Sequence, residues 1–305
     1  MLLSVNDALA FGLEYGKIDV KDDWSREVKE KEFHAHYGSS PLVLATQWYD
    51  LITFGMPEAL KLNKQDKERG FRMFLTAHHF LWAYPRNANI LASRMGISNW
   101  MVRGSRLWVW IQRVAALKEK MIKWPSVLDD PNSEIEICTI DGTDYRGWEK
   151  KHPTLPIDKA QCSKKIAHGA MKYQMVVAVQ HQKCIHIHGS CRGGLNDKTM
   201  LEESGVLDLI KVGKFAIVDR GYINHANKDK LAWPNAHHVP ATNNFQSRAR
   251  LRHETFNGRL KFFPCLNQTF RHGQGKLFEK HKTVVEAVAV TVQYQMDNGS
   301  PLFEV

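Results

Sequence analysis

Three acidic residues in the second half of the chain have the types and positions expected of metal ligands. Asp141 ends an apolar alternating run and is followed by Gly142, where the sequence predicts a turn. Asp219 ends a second apolar run, and Glu254 falls in a helical pattern. Carboxylate oxygens are the hard ligands that Mg²⁺ prefers, whereas His and Cys favour softer metals. We therefore predict that Asp141, Asp219 and Glu254 are catalytic and hold a divalent metal.

Such a carboxylate set suits phosphodiester cleavage by two metal ions. The ions lie roughly 3.5 to 4 Å apart; one activates water or a 3′ hydroxyl, and the other stabilises the leaving oxygen. We predict two Mg²⁺ ions, with Mn²⁺ as the other candidate. We assign Asp141 to bridge both ions, and Asp219 and Glu254 each to complete one. Arg250 and Lys261 share a helix face with Glu254 by their spacing and are predicted to contact the DNA backbone.

Each acidic residue alone has an ordinary explanation. An Asp after a strand is usually a turn former, and a Glu between Arg residues is usually a solvated ion pair. The case depends on the set, because the three residues follow in order at separations of 78 and 35 residues. Glu279 and Glu286 are the alternatives to Glu254, but neither has its flanking Arg and Lys.

The elements predicted around these residues follow the order of an RNase H-like domain, in which metal carboxylates lie at strand ends and on a later helix. The predicted strands are 136–140, 174–180, 183–189 and 214–219, with the second and third forming a hairpin, and the predicted helices are 198–203, 246–262 and 277–295. The predicted fold class is therefore α/β: an RNase H-like catalytic domain preceded by an α-helical region with a helix-turn-helix-like unit.

The net positive charge belongs to one segment. Residues 61–123 hold 13 Lys and Arg against three acidic residues, and this excess of ten equals the net charge of the whole chain, +10. A polyanion such as DNA is the natural partner of this segment. The alternative is a solvated basic helical surface.

The basic segment has the pattern of a helix-turn-helix. A helical pattern over 71–84 ends at Pro85, Asn87 is positioned to cap a short helix, and Gly96 is positioned to form a left-handed turn before a long helix over 99–123. The predicted core stripe of that helix is Trp100, Leu107, Ile111, Val114 and Met121. The predicted DNA-binding residues of this segment are Arg94, Arg103, Arg106 and Arg113. A structural three-helix bundle with basic decoration is the alternative.

These patterns divide the chain into a helical N-terminal region over 1–123, with the DNA-binding unit at about 71–123, a linker over 124–133 and the catalytic domain over 134–305. No apolar run is long enough for a membrane span, and the first residues lack the pattern of a secretory signal. Five cysteines without short paired spacing favour reduced thiols. We expect a protein that is not secreted and has no membrane partner.

A second group of candidate metal ligands lies in the predicted hairpin. Cys184, His186 and His188 alternate and are expected to share one face of the strand, with Cys191 just beyond. Zinc is one interpretation, but the spacing matches no standard zinc motif. The other interpretation, which we favour here, is a set of packed or hydrogen-bonded strand residues.

Residues 134–291 resemble a known enzyme family. The motifs Asp141-Gly142-Thr143, Gly193-Gly194-x-Asn196-Asp197, Asp219-Arg220-Gly221-Tyr222 and Arg250-x-x-x-Glu254-x-x-Asn257-Gly258-x-x-Lys261 are similar to those of DDE-superfamily transposases of the Harbinger kind. The chain departs from bacterial relatives at Ser247, where they often carry a Tyr three residues before the motif Arg.

The resemblance implies a DDE transposase that cleaves and joins DNA strands at transposon ends with divalent metal. It also implies a Myb-like accessory protein, a homo-oligomer on DNA and, for a eukaryotic source, a nuclear location; otherwise the protein would lie in the cytoplasm or nucleoid. Two alternatives remain at this point: a non-catalytic DNA-binding or adaptor protein derived from such a transposase, and a metal-dependent nuclease without strand transfer.

Overall fold

The structure is a computed structural model, which describes residues 3–56, 63–103, 105–132, 135–147, 159–166, 168–222, 226–235, 238–272 and 277–305, without the side chains of Arg103 and Ser105. The chain divides into two units, Met1–Glu119 with Phe263–Cys265 and Thr283–Ser300, and Lys120–Phe262 with Leu266–Lys282 and Pro301–Val305. The segment Thr283–Ser300 thus clusters with the first unit, although the sequence pattern assigns it to the catalytic domain. The predicted domain boundaries stay a prediction.

The first unit is built from helices with polar caps. They are α1 Val5–Tyr15, α2 Arg26–Tyr37, α3 Pro41–Asp50, α4 Lys64–Ala83, α5 Ala88–Met95, α6 Asn99–Arg103 and α7 Ser105–Ala116, and α8 Lys118–Met121 follows. Ser4, Ser25, Ser40 and Asn63 begin α1 to α4, and each side chain accepts a hydrogen bond from a backbone N–H of the first turn. Aromatic side chains of α3 and α4, including Trp48, Phe71 and Phe74, are buried in the core.

The predicted short helix and turn are confirmed, but the long helix after them is not. Asn87 caps α5 by accepting from Ile90 N, and Gly96 adopts the left-handed conformation at φ 60°. The prediction of one helix over 99–123 is wrong, because a turn at Leu117 separates α7 from α8. The break after α7 accompanies the full burial of Leu117, and Gly104, between α6 and α7, lies outside the described residues.

The predicted core stripe holds only for its central members. Leu107, Ile111 and Val114 are buried, whereas Met121 is half-buried and Trp100 is 65% exposed. Periodicity predicted a buried Trp100 because it assumed one straight helix from 99 to 123. In the structure the guanidinium of Arg106 lies over the Trp100 ring, 4.3 Å from its centroid.

The second unit contains a mixed sheet. Its strands are β1 Glu136–Arg146, β2 Cys162–Ser163, β3 His168–Ala178, β4 Cys184–Arg192, β5 Phe215–Ile217 and β6 Leu231–Ala232. The order is β2-β3-β1-β5-β6, and β4 also pairs with β3. The strands β1, β3 and β4 are antiparallel neighbours, whereas β5 is parallel to β1 and β6 to β5. The predicted α/β class and β3–β4 hairpin are confirmed.

The sequence prediction of a turn at Gly142 is wrong. Gly142 pairs with Gln174 and Asp144 with Lys172, so the antiparallel ladder carries β1 on to Arg146. The absence of a side chain at Gly142 lets Asp197 approach the strand closely, since a Cβ there would stand 3.0 Å from Oδ1 of Asp197. Asp141 therefore lies in the middle of a strand rather than at its end.

Helices cover both faces of the sheet. The helices α9 Asp197–Glu203, α10 Val206–Leu209 and α11 Pro240–Lys261 belong to this unit, whereas the residues of α12 Pro264–Asn267 and α13 Leu277–Asp297 are divided between the two units. Ile140 and Val176 pack with Leu201 of α9 on one face, and Ile217 packs with Ala249 of α11 on the other. The predicted start of α11 at residue 246 is six residues late, because Pro240 is favourable in a first helical turn.

Part of the predicted linker belongs to the core of this second unit. Ser126–Asp129 forms a 3₁₀ turn, and its Leu128 is fully buried among the core residues of the sheet. All five cysteines are free thiols. None of the helices that the structure describes combines the length and apolar character of a membrane span.

Buried and half-buried histidines are expected to make the fold acid-labile. Burial lowers the pKa of His253 to about 4, and it lowers the pKa values of His36, His78 and His281 to about 3, from an ordinary 6.5. Below pH 6.5 the unfolded chain therefore binds more protons than the folded one, so we expect the free energy of unfolding to fall as the pH drops from 6.5 towards 3. Urea unfolding at pH 7.5 and pH 5 checks this, and equal midpoints would contradict it. Replacing the exposed His181 by Gln should leave the difference in urea midpoint between pH 7.5 and pH 5 unchanged.

Candidate active site

Asp141 is fixed by the centre of the sheet and by α11. It pairs with Met175 in β3, and its side chain faces α11, where Asn257 Nδ2 donates a 3.0 Å hydrogen bond to Asp141 Oδ2. The other carboxylate oxygen, Oδ1, has no hydrogen-bond partner among the described residues. One oxygen is thus oriented by the protein, and the other is available to a ligand.

A polar cavity of about 310 Å³ opens beside Asp141. Its walls come from β1, from the loop after β2 and from α11: Asp141, Gly142, Thr143, Asp144, Lys165, Ile166, Glu254, Asn257, Gly258 and Lys261. The structure therefore brings Asp141, Glu254 and Lys261 together although they are far apart in sequence. Glu254 is exposed and makes no ion pair with a described residue, so its carboxylate is open to the cavity.

Asp219 follows the neighbouring strand β5, at a position level with Asp141. Thr139 pairs with Ile217 in the parallel ladder of β1 and β5, and Asp141 and Asp219 each lie two residues beyond that pair. Asp219 is not among the residues that line the cavity, and its Oδ1 accepts a hydrogen bond from the N–H of Gly221. Tyr222 is buried nearby; burial raises its pKa, and the charges of Asp197, Asp141 and Asp219 raise it further.

His253, which precedes Glu254 in the sequence, packs inside the fold and is not a cavity residue. His253 is buried, and its Nδ1 lies 2.7 Å from Oγ1 of Thr139. Thr139 donates its hydroxyl hydrogen to Val177 O, so the Nδ1–H of His253 donates to Thr139. The low pKa of His253, caused by burial, agrees with this neutral form. His253 thus joins α11 to β1 two residues before Asp141.

Around the predicted Lys261, the cavity includes Asp144 and Lys165, which sequence reasoning missed. Burial lowers the pKa of Lys261, while Asp144 and Asp141 oppose the shift. Asp144 accepts a hydrogen bond from the hydroxyl of Ser163, and Lys165 Nζ lies 3.5 Å from Gly142 O. Continued alternation of β1 past Gly142 was the signal that could have placed Asp144 in the sheet. Nothing in the sequence around Lys165 points to the cavity.

The basic residues predicted to bind DNA fall in different places. Arg250 is half-buried on α11, one turn before Glu254, and is not among the cavity residues. Arg94 is exposed on α5, and the side chain of Arg103 lies outside the described residues. Arg113 lies over the ring of Trp110, 4.6 Å from its centroid, as Arg106 does over Trp100.

Arg106 and Arg113 border a groove of about 420 Å³ between α4 and α7. Lys67, Arg69, Trp48 and Trp110 are among its other lining residues. Neither Arg106 nor Arg113 forms an ion pair with a described residue, so both charges are available to a ligand.

The two rival carboxylates of α13 do not line the cavity. Glu286 belongs to the first unit, where its Oε1 lies 2.8 Å from Nζ of Lys118 in an ion pair. Glu279, at the start of α13, is not a lining residue either. Of these acidic residues, the geometry favours Glu254 as the partner of Asp141.

The expectation that Cys184, His186 and His188 share one face is wrong. His186 pairs with Val176 but Cys184 pairs with Val177, because the register shifts between them. Adjacent residues of β3 point to opposite faces, so this shift turns Cys184 away from the two histidines. Cys184 is fully buried.

Comparison with known proteins assigns a family to this region. The family model described as DDE superfamily endonuclease matches residues 140–293, which include Asp141, Asp219 and Glu254. Searches of curated proteins and of solved structures each found no match. The matched residues make up half of the chain and include all ten residues that line the cavity.

Proposed function

The chain belongs to the DDE superfamily of endonucleases, and from this we propose that it is a transposase of the Harbinger type, which cleaves and joins DNA strands at transposon ends. The observation that carries the proposal is the convergence of Asp141 and Glu254, from β1 and α11, on one polar cavity that also contains Lys261. Endonuclease chemistry needs hard anionic ligands beside a group that can hold a phosphate, and this cavity offers both.

The element order supports an RNase H-like fold for the catalytic part. Three antiparallel strands, β1, β3 and β4, are followed by helix α9 and by β5, which returns parallel to β1. The carboxylates then come from the middle of β1, the end of β5 and the later helix α11. For the first unit, α5, the Gly96 turn and α6 support the proposal of a helix-turn-helix-like DNA-binding unit.

The donor atoms around the cavity fit a divalent metal of the Mg²⁺ class. Asp141 Oδ1 and the carboxylate of Glu254 are hard oxygen donors without partners among the described residues. Asp219 supplies a third carboxylate from the neighbouring strand, with one oxygen held by Gly221 N–H. We propose that these three residues hold two Mg²⁺ or Mn²⁺ ions, which would supply an activated water or 3′ hydroxyl and stabilise the leaving oxygen.

The protein's own groups orient the reactants. Asn257 holds one oxygen of Asp141, so the carboxylate keeps a single direction in the cavity. Lys261, whose pKa is lowered by burial, lies beside Asp141 and Asp144 and is placed to pair with a nonbridging phosphate oxygen. Arg250, one turn before Glu254 on α11, is proposed to contact the DNA backbone next to the cavity.

Cleavage of DNA tests the proposal directly. Purified protein with Mg²⁺ or Mn²⁺ is incubated with duplexes that carry the inverted repeats flanking the gene, alone and with a Myb-like protein encoded beside it, and strand breaks and joined products are resolved on sequencing gels. Cleavage and joining support a transposase, and cleavage alone would favour a nuclease without strand transfer. DNA binding without cleavage under every condition would favour the adaptor protein.

Assembly into a homo-oligomer on DNA and, for a eukaryotic source, nuclear location are part of the same proposal.

Replacing Asn257 by Ala should weaken metal binding without removing a ligand. Loss of a residue that orients a ligand typically reduces metal affinity or activity about 10-fold to 100-fold. We expect a comparable increase in the Mn²⁺ concentration needed for half-maximal cleavage, with activity recovered at saturating Mn²⁺. Asn298, which is half-buried and lies outside the cavity, provides the matched control Asn298→Ala. An unchanged Mn²⁺ requirement would mean that Asn257 does not orient Asp141.

Neutralising the predicted DNA-binding arginines between residues 99 and 123 should weaken DNA binding and its salt dependence. The triple substitution of Arg103, Arg106 and Arg113 by Gln removes three charges, and each lost phosphate contact lowers the slope of log affinity against log salt by about 0.9. Fluorescence anisotropy at several salt concentrations measures the slope.

A matched control replaces three exposed basic residues outside the basic segment, Lys21, Arg26 and Lys31, by Gln. This triple variant should bind DNA as the wild type does. Equal losses in both triple variants would show a general charge effect rather than a DNA-binding groove.

A further inference from the structure

A second group of metal-binding side chains lies on the opposite face of the sheet from Asp141. His188, Cys191 and Glu203 each offer a ligand atom, and all three atoms lie within 4.8 Å of one another. Cys191 Sγ lies 3.7 Å from His188 Nε2. His188 pairs with Gln174, which pairs with Gly142, the neighbour of Asp141, so strand alternation places His188 and Asp141 on different faces. The group is separate from the cavity of the candidate active site.

A β-bulge brings the histidine and the cysteine together. His188 and Cys191 are three residues apart, a spacing that puts side chains on opposite faces of a regular strand. In β4, however, His188 pairs with Gln174 and Cys191 with Lys172, so three steps on β4 match two on β3. The extra residue returns Cys191 to the face of His188. Gly189 within the bulge has φ 136°, and a Cβ there would stand 2.6 Å from the Tyr173 ring.

The third ligand comes from the helix that packs over this face. Glu203 is the last residue of α9, whose Met200 and Leu201 are buried against the sheet. The carboxylate of Glu203 is exposed, while His188 and Cys191 are half-buried. The bulge is also anchored on its other side, because Ser190 Oγ donates a 2.9 Å hydrogen bond to Phe278 O of α13.

We propose that His188, Cys191 and Glu203 bind one Zn²⁺ ion, with water in the fourth position, and that this ion joins the end of α9 to β4. In a tetrahedral zinc site with bonds of about 2.0 to 2.3 Å, ligand atoms lie roughly 3.3 to 3.8 Å apart. The observed group, whose ligand atoms lie within 4.8 Å of one another, needs a contraction of about 1.5 Å at most, which side-chain rotation supplies. One imidazole, one thiolate and one carboxylate favour Zn²⁺ over Mg²⁺ because sulfur and nitrogen are softer donors than oxygen.

The local charges distinguish this site from a nucleophilic thiol. Burial raises the pKa of Cys191 and lowers the pKa of His188, so without metal the pair is a neutral thiol beside a neutral imidazole. Zinc binding displaces the thiol proton to solvent, and the thiolate and Glu203 together balance the two charges of the ion. Two nearby cations oppose metal binding: the charge of Lys172 acts on Cys191, and that of Lys282 acts on both His188 and Cys191.

Cobalt spectroscopy on the full chain tests the proposal. Reduced, chelator-treated protein is titrated with Co²⁺ in excess Mg²⁺, which occupies sites made only of oxygen ligands. We expect a thiolate-to-cobalt charge-transfer band that saturates at one equivalent and disappears when Zn²⁺ is added. The same band is expected in Asp141→Ala, because that residue lies on the other face of the sheet. No thiolate band in the wild type would overturn the proposal.

Matched variants assign the ligands. Cys191→Ser should remove the band, whereas Cys162→Ser, which changes the other cysteine that is not fully buried, should retain it. Glu203→Gln, at an exposed position that leaves the core intact, should weaken Co²⁺ binding at least about 10-fold, and the neighbouring exposed Glu202→Gln should not. Zn²⁺ should also raise the thermal unfolding midpoint of the wild type and not of Cys191→Ser. A band that survives in Cys191→Ser, or equal affinity in Glu203→Gln, would show that the metal binds elsewhere.

Discussion

Asp141→Ala is expected to reduce DNA cleavage by about three orders of magnitude or more while DNA binding persists. Asp141 is the proposed bridging ligand, so its loss affects both metal positions at once. The basic groove lined by Arg106 and Arg113 does not involve Asp141, and we therefore expect unchanged anisotropy with labelled DNA. The measurement is a single-turnover cleavage rate in Mg²⁺ and in Mn²⁺.

The stability of this variant separates a catalytic role from a structural one. Asp141 lies in the middle of β1 between two paired strands, and removing a half-buried carboxylate from such a position does not cost folding energy in the way that loss of an apolar core residue does. We expect a thermal midpoint at or above that of the wild type. The exposed Asp208 provides the control Asp208→Asn, which should cleave normally. A lower midpoint together with lost DNA binding would instead indicate that Asp141 is needed for the fold.

Glu254→Gln is expected to reduce DNA cleavage as much as Asp141→Ala does. This variant tests whether Glu254 is the third metal ligand. Gln keeps the size and helical preference of Glu but lacks the anionic oxygens, so α11 should remain intact. Glu254 is exposed and has no ion pair with a described residue, which means that its replacement breaks no structural contact.

Glu286→Gln is the matched comparison for Glu254→Gln. Glu286 pairs with Lys118 in the first unit, so its loss should cost roughly 1 kcal/mol of unfolding free energy and leave the cleavage chemistry intact. Cleavage rates and urea midpoints of both variants, measured side by side, decide the assignment. An active Glu254→Gln beside an inactive Glu286→Gln would transfer the role of third ligand to α13.

Much of the catalytic region is predictable from sequence because its signals are local. An apolar run before Asp141 indicates a strand, and four-residue spacing around Glu254 indicates a helix. The order of these elements is also sufficient to predict the α/β class. The Harbinger type, the two-ion mechanism and the roles of the three carboxylates stay predictions, since the family match extends to the DDE endonuclease superfamily only.

The errors arise where tertiary contacts override local patterns. The sequence predicts a turn at Gly142, but the pairing of Gly142 with Gln174 keeps it in β1. Trp100 fits a helical stripe, yet its ring lies at the surface under the guanidinium of Arg106. Periodicity reports which residues are apolar in a regular element and carries no information about where the element is interrupted.

The cavity residues Asn257 and Lys165 show a second limit. Asn257 stands within the motif around Glu254, but its hydrogen bond to Asp141 depends on how α11 crosses the sheet. Lys165 reaches the cavity from a short loop after β2, a strand of only two residues. The bulge that unites His188 with Cys191 is likewise invisible in the sequence, because strand alternation predicts their separation.

The position of Asp141 inside β1 makes the proposed endonuclease activity sensitive to the length of this strand as well as to the identity of its residues. Successive side chains of a strand alternate between faces. If one residue between Glu136 and Ile140 were deleted and the residues before the deletion kept their pairing, Asp141 would shift by one position, and its carboxylate would turn away from Glu254 and Asn257. The chain would still contain every acidic residue of the motif. Among related genes that retain all three acids, an odd insertion or deletion in this strand would therefore mark an inactive copy that a motif search reads as intact.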